Sequence, residues 1–256
     1  MFRPRVIPVL LLRNLGLVKS VKFKDHRYIG DPINAVKIFN DKKADELIFL
    51  DINASVENRL ISLDFIHKVG DEANMPFGVG GGIKNIADIR KVLENGAEKV
   101  VLNTIACENP EFIKEASETF GSSTIVVCVD VKKNYFGKYN VVYRNGKKKT
   151  NEDLIEFAQK MARNGAGEII IQSVDLDGTY AGYDLELTKK VAESVTIPVV
   201  ALGGAKDYND FKLAAEKGLA SAVAAGSIFV YHGPRRAVLI SFPNRVELIT
   251  MFNNEQ

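Results

Sequence analysis

The sequence predicts an α/β protein, a (β/α)8 TIM barrel, on three observations. Short apolar runs rich in Val and Ile alternate with longer stretches of helical period, and the count reaches eight strands. The runs are continuously apolar rather than alternating, as suits parallel strands buried on both faces. At 256 residues the chain has a length typical of one closed barrel. An open doubly wound sheet is the alternative.

The first strand is RVIPVLLL from Arg5, followed by a long polar segment at 13–31, expected as a loop, and the helical stretch DPINAVKIFNDKKA. DELIFLDI, MPFGVGGG and EKVVLN are the next three strands, with NRLISLDFIHKVGDEAN, NIADIRKVLENGA and PEFIKEASETFG as their helices. The fifth strand, STIVVCVDV, runs into residues 131–150, where alternating residues and an Asn-Gly pair suggest a small hairpin. NEDLIEFAQKMARNGA, GEIIIQSV, YDLELTKKVAESV, IPVVALGG, DYNDFKLAAEKG and SAVAAG complete the alternation, and a last helical segment closes a single domain over 1–256. Segments as long as 13–31 and 131–150 usually serve a site. Both follow strands, on the face where barrel enzymes keep their chemistry.

The two halves echo each other. Aligning ADELIFLD from Ala44 with AGEIIIQS from Ala166 also carries Glu46 onto Glu168, Pro76 onto Pro198, Gly81 onto Gly203, Gly82 onto Gly204 and Gly96 onto Gly218. A repeat of half a barrel explains this and predicts two similar sites about a pseudo-twofold axis.

Charge and composition exclude several classes. The net charge is +2, and the densest basic run, GKKKT at 146–150, reads as a solvated loop rather than a nucleic-acid tail. No apolar run approaches the length of a membrane span. The N-terminus lacks a small-residue cleavage site and continues into a strand, so a cytoplasmic protein is expected. Cys107 and Cys128 make no disulfide framework and read as core or near-core thiols. His26, His67 and His232 have no metal-ligand spacing; no metal and no cofactor are expected, and His26 is a candidate ligand contact from the first loop.

Glycines at strand ends suggest phosphate binding, because glycine lets a phosphate approach the backbone and the helix that follows offers free N–H groups. The repeat makes two cradles of them, one from Gly81, Gly82, Asn103 and Thr104, the other from Gly178, Gly203, Gly204, Gly226 and Ser227. Tight strand-to-helix turns are the competing explanation. Asp51, Asp130 and Asp177 lie at or just beyond strand ends, where a carboxylate is placed for acid or base work, a helix or turn cap being the competing reading for a single Asp. Asp130 stands out by ending the apolar run TIVVCV. At the opposite face Arg5, Glu46, Lys99 and Glu168 stand at strand starts, where they form either an ion-pair ring closing the barrel floor or an ordinary salt-bridge cluster.

Together GLVKSVKF, VGGGI, GAEKVVLNT, FGSSTIVVCVD, GAGEI, DLDGTYAGYDLEL and IPVVALGGA resemble the cyclase subunit of imidazole glycerol phosphate synthase, from RVIP to about Phe229. The resemblance implies a glutaminase docked on the N-terminal face and an ammonia gate of Arg5, Glu46, Lys99 and Glu168. It also implies a substrate held by two phosphates in the glycine cradles, with Lys19 on the first loop, and an acid/base pair at the ends of strands 1 and 5. Asp130 matches the strand 5 acid; the strand 1 position is Leu11. Leucine carries no proton, and a general acid or base commonly contributes ~10²- to 10⁴-fold. Gly78 and Gln172 stand where the family usually has small hydroxyl residues, and Leu202 where a serine often precedes the glycine pair. The tail over 230–256, with Pro234, Arg235, Arg236 and Pro243, departs from the family's last helix. With VIPVLLL it is similar to a paralogous subgroup associated with glycosyl amidation in surface-polysaccharide biosynthesis. That similarity implies an ATP-dependent sugar amidotransferase as a further partner. The readings that follow are an ammonia-conducting subunit for such an amidation, a histidine-pathway cyclase working from Asp130 with Asp51 or Asp177, and a scaffold that binds a phosphorylated ligand without conducting ammonia.

Overall fold

A computed structural model describes residues 3–252, and in it eight parallel strands close on themselves. They are β1 Arg5–Arg13, β2 Leu47–Asp51, β3 Phe77–Gly80, β4 Lys99–Leu102, β5 Ile125–Lys133, β6 Glu168–Ser173, β7 Val199–Leu202 and β8 Ala222–Ala225. Each pairs with the next, and β8 returns to β1 in the register Arg5↔Ala222 to Pro8↔Ala225. Closure removes both sheet edges and rules out the open doubly wound alternative.

Between strands run α1 Pro32–Asp41, α2 Leu63–Glu72, α3 Ile86–Glu94, α4 Glu111–Phe120, α5 Leu154–Arg163, α6 Leu185–Ala192 and α7 Tyr208–Glu216. Side chains of Asp31, Ser62, Asn85, Asp153, Asp184 and Asp207 accept from backbone N–H groups in the first turns of their helices. Those bonds satisfy donors that have no partner within the helix. Alternate strand residues point outward into the helix layer, where Val6, Leu10, Phe49, Val127 and Ile169 join one large core. The other alternates point inward, and Ile7, Ile48, Val101, Val126, Ile170, Val200 and Ala222 line the barrel interior. Because the strands are buried on both faces, they read as continuous apolar runs.

Residues 13–31 differ from the expected polar loop. They form a hairpin, Gly16–Val21 with Lys24–Gly30, which pairs back onto β1 through Leu11↔Val18 and Leu12↔Leu17. The sequence hides it because Lys24, Asp25, Arg27 and Tyr28 all face solvent, leaving no apolar alternation to read. After β5 the chain makes a meander. Tyr139–Tyr143 runs antiparallel to the extended end of β5, and Lys148–Lys149 pairs onto Tyr139–Tyr143 around the turn holding Asn145 and Gly146.

The tail turns through a short hairpin, Tyr231–His232 with Ala237–Val238, and ends in α8 Arg245–Phe252; residues 253–256 of the tail lie outside the described residues. Phe242 ties this segment to the barrel, meeting Phe229 at 5.2 Å and Phe39 at 6.1 Å between ring centroids. No helix among the described residues is long and apolar enough to cross a membrane. Since Phe242 is buried, Phe242→Ala is expected to cost about 3–5 kcal/mol, read as a lower urea midpoint at unchanged slope. A midpoint equal to the wild type's would show that the tail packs loosely.

Candidate functional site

The eight strand ends open into one pocket on the C-terminal face, and the cradle residues of both halves line it together. Gly81, Gly82, Asn103 and Thr104 stand on one side, and Gly178, Gly203, Gly204, Gly226 and Ser227 on the other. At Gly82 and Gly204 glycine is required twice over, by positive φ (68° and 104°) and by space. A Cβ there would meet the Arg59 carbonyl oxygen at 1.8 Å or the Gly182 carbonyl oxygen at 2.1 Å. The turn explanation therefore accounts for both, and it leaves bare backbone lining the pocket.

Asp130 enters this pocket from β5, buried. Burial pushes its carboxyl up to about 7, the charge of Asp177 adds to that, and hydrogen bonds from the Cys128 thiol and the Asn103 amide oppose it. The thiol approaches Asp130 Oδ1 at 3.7 Å, and Asn103 Nδ2 also donates to the Cys128 carbonyl at 2.9 Å. Burial likewise holds the Cys128 thiol well above its ordinary range and pushes Cys107 up to about 12, so both cysteines are protonated thiols at neutral pH. Opposite β5 in an eight-stranded barrel is β1, and Leu11 lines the same pocket from it. One side of the mouth thus offers an acid poised near neutrality and the other a leucine.

Lys19 reaches the pocket from the first hairpin. Its Nζ donates to the Val9 carbonyl at 2.8 Å and sits against Gly226, where a Cβ would meet it at 1.9 Å. Burial lowers its ammonium to about 8, with Asp177 opposing. Asp177 accepts from Ser20 Oγ at 3.1 Å and Gln172 Nε2 at 3.2 Å, and burial raises its carboxyl despite Lys19 and these donors. His26 also lines the pocket, where burial and Arg13 hold its imidazole below its usual value.

For Asp51 the structure favours the turn-cap reading over acid or base work. Arg59 grips it with two nitrogens, Nη1 to Oδ2 at 2.6 Å and Nη2 to Oδ1 at 3.2 Å, while Oδ1 accepts from the backbone N–H groups of Asn53 and Ala54. A carboxylate so engaged holds a turn. Nothing in the sequence signals the pairing, because Arg59 belongs to the loop and not to a strand. Cys128 beside Asp130 was legible: residues two apart on a strand share a face. Arg144 and Asn145, at the second turn of the meander, also reach the pocket. The Asn145 side chain donates to the Ile52 carbonyl at 2.6 Å and Arg144 pairs with Glu108.

At the N-terminal end, Arg5, Glu46, Lys99 and Glu168 meet in a closed ring of alternating charge. Arg5 donates to both Glu46 and Glu168, and Lys99 Nζ stands 2.9 Å from Glu46 Oε1 and 3.4 Å from Glu168 Oε2. Glu46 immediately precedes β2 and Glu168 begins β6, on strands opposite each other as the repeat requires. His67 and His232 are surface residues away from the pocket, and among the described residues no cluster of His, Cys, Asp or Glu could hold a metal ion.

The chain matches the family described as "Histidine biosynthesis protein" over residues 5–234. It is 44% identical over 254 residues to a protein of Leptospira borgpetersenii provisionally named imidazole glycerol phosphate synthase subunit HisF, covering 98% of this chain and all of that one. It is 45% identical to a Pseudomonas aeruginosa protein provisionally named as the hisF2 subunit, covering 95% and 97%, and 43% identical to the imidazole glycerol phosphate synthase subunit HisF of Alkaliphilus metalliredigens, covering 91% and 92%.

The raised Asp130 carboxyl makes stability depend on pH. The folded protein keeps a proton that the unfolded chain gives up between about pH 4 and pH 7, so this group's contribution falls as pH rises through that window. Asp130→Asn is expected to remove that loss, gaining on the wild type by up to about 4 kcal/mol between pH 4 and pH 8 in urea unfolding. A gap that does not change with pH would contradict the raised value.

Proposed function

The chain belongs to the HisF-type imidazole glycerol phosphate synthase family, and from that premise we propose that it is the ammonia-conducting, synthase-type subunit of a cytoplasmic glutamine amidotransferase complex. In this reading a class I glutaminase docks over the ring of Arg5, Glu46, Lys99 and Glu168. Ammonia released there passes the ring, crosses the barrel and leaves at the pocket. It is then used with an ATP-dependent sugar amidotransferase to turn an acetamido group into an acetamidino group during surface-polysaccharide biosynthesis.

The observation that carries this reading is a complete charged ring at one end of the barrel, while at the other Asp130 is faced across the mouth by Leu11. An interior walled by Ile7, Ile48, Val101, Val126 and Ile170 supports it, since neutral ammonia crosses an apolar space at little cost while ammonium pays heavily for losing water. Opening the ring means parting Lys99, the more weakly held cation, from Glu46 and Glu168. The glycine cradles hold a phosphorylated ligand in this account, with bare N–H groups and Lys19 as the donors.

A second reading is favoured by a specific observation. Asp130 at about 7 and the Lys19 ammonium at about 8 stand in one pocket with both cradles, which suits a histidine-pathway cyclase in which Asp130 alone serves as acid and base.

Two outcomes test the main reading. Mixing the chain with its cognate glutaminase is expected to give a complex and to raise glutamine hydrolysis, and the absence of both would refute it. Lys99→Met is expected to lower glutamine-driven amidation roughly tenfold, about 1.4 kcal/mol in the barrier, while amidation driven by added ammonium chloride stays at the wild-type rate. Equal loss with both nitrogen sources would show that the ring does not gate ammonia.

A further inference from the structure

The meander that follows β5 reaches the pocket only through Arg144 and Asn145, and the rest of its charge and its aromatic turn lie outside it. Between Val131 and Thr150 it has Lys132, Lys133, Lys138, Arg144 and the run Lys147 to Lys149, with no acidic residue. Lys133 pairs with Asp184 and Arg144 with Glu108, which fixes the meander to the barrel. The other cations have no ion pair among the described residues. At the first turn Tyr135 is 97% and Phe136 90% exposed, far beyond any other aromatic side chain of the described core or surface.

Two fully wet aromatic rings on an ordered turn have a cost that packing within this chain does not offset. The turn is ordered all the same. Asn134 N–H donates to the Lys138 carbonyl, the Asn134 side chain accepts from the backbone N–H groups of Phe136 and Lys138, and Asp175 accepts from Lys133 N–H at 2.7 Å. Rigid aromatic residues ringed by charge are the usual anchors of a protein interface, because they bury large area with little loss of side-chain freedom.

We propose that this meander is the docking surface for the enzyme that consumes the ammonia, and that the partner meets it with an acidic face and an apolar notch for Tyr135 and Phe136. The inference rests on the reading of the barrel as an ammonia donor. Charge names the chemistry of the occupant: a basic meander without acids attracts an acidic surface and repels a second basic one. Position names its task. The meander rises from the end of β5 and its second turn lines the pocket through Arg144 and Asn145, so a partner seated on it lies beside the opening through which ammonia leaves in the proposed function. Ammonia released into water is protonated and diluted, so its consumer must sit against the opening. The rings argue against single-stranded nucleic acid, since they meet edge to face at 87° and offer no parallel platform for successive bases.

The test titrates a purified ATP-dependent sugar amidotransferase with the complex of this chain and its glutaminase, following glutamine-driven amidation. For the double variant Tyr135→Ser, Phe136→Ser, the half-saturating concentration of complex is expected to rise at least ~10-fold. Lys132→Glu with Lys138→Glu is expected to act in the same direction, and the wild-type value to rise with added salt. Stimulation of the glutaminase is expected to stay at the wild-type level in both variants, which shows an intact barrel. Unchanged half-saturation in both variants, with the wild type active, overturns the docking surface and leaves the proposed function standing. A wild-type complex that gives no glutamine-driven amidation, beside an amidotransferase active on ammonium chloride, overturns both. Binding of an oligothymidylate or self-association that the same substitutions abolish would assign the surface to another occupant and overturn the inference.

Discussion

Two glutamates with side chains 3% and 7% exposed stand at the foot of this barrel, and the need to neutralise them organises that end of the fold. Uncompensated, buried carboxylates would each cost several kcal/mol, so Glu46 and Glu168 require cations. Arg5 and Lys99 supply them from β1 and β4, and every member of the ring touches members of opposite sign on either side. Stability alone does not explain the arrangement, because apolar residues of similar volume would close the floor at no greater cost. What a ring of ion pairs offers and an apolar plug does not is a closure that can part and re-form at a fixed place on the barrel axis.

The other end is governed by burial without full neutralisation. Asp130, Asp177 and Lys19 share a pocket in which each charge is desolvated, and the pocket raises the two carboxyls and lowers the ammonium. Leu11 is the residue that separates this pocket from a two-acid catalytic mouth. Asp130 faces Leu11 across the mouth, and the other raised carboxyl, Asp177, is engaged by Ser20 and Gln172. A charged floor together with a mouth in which Leu11 faces Asp130 is what the proposed ammonia-conducting reading rests on.

Much of this was legible in the sequence, and the reasons differ from residue to residue. Strands buried on both faces read as unbroken apolar runs, which gives the eight strands, while closure into a barrel rather than an open sheet is decided by the pairing of β8 with β1. The half-barrel repeat, visible as Glu46 with Glu168 and Gly81 with Gly203, places two residues of the ring and the two cradles opposite each other. Spacing did not decide between a ring and a scattered cluster for Arg5, Glu46, Lys99 and Glu168; the closed geometry does. The first hairpin escaped because its outer strand, Lys24–Gly30, is nearly all exposed and carries no periodic apolar signal. For Asp51 position alone left acid and turn cap open, because its strand-end place resembles that of Asp130, while Arg59, which grips it, arrives by tertiary folding. Tyr135 and Phe136 gave no sign of their exposure, since aromatic residues in a hairpin ordinarily pack inward.

Whether the barrel keeps an ammonia route without the family's own chemistry, as proposed, can be tested at Leu11 in one assay. The bisphosphorylated ribonucleotide substrate of imidazole glycerol phosphate synthase is incubated with the purified chain and excess ammonium salt, beside Leu11→Asp. The account expects no turnover by the wild type and measurable turnover by the variant, in which an acid again faces Asp130. Turnover by the wild type at a rate comparable to the variant's would contradict it, and would show that Asp130 is sufficient for the cyclase reaction.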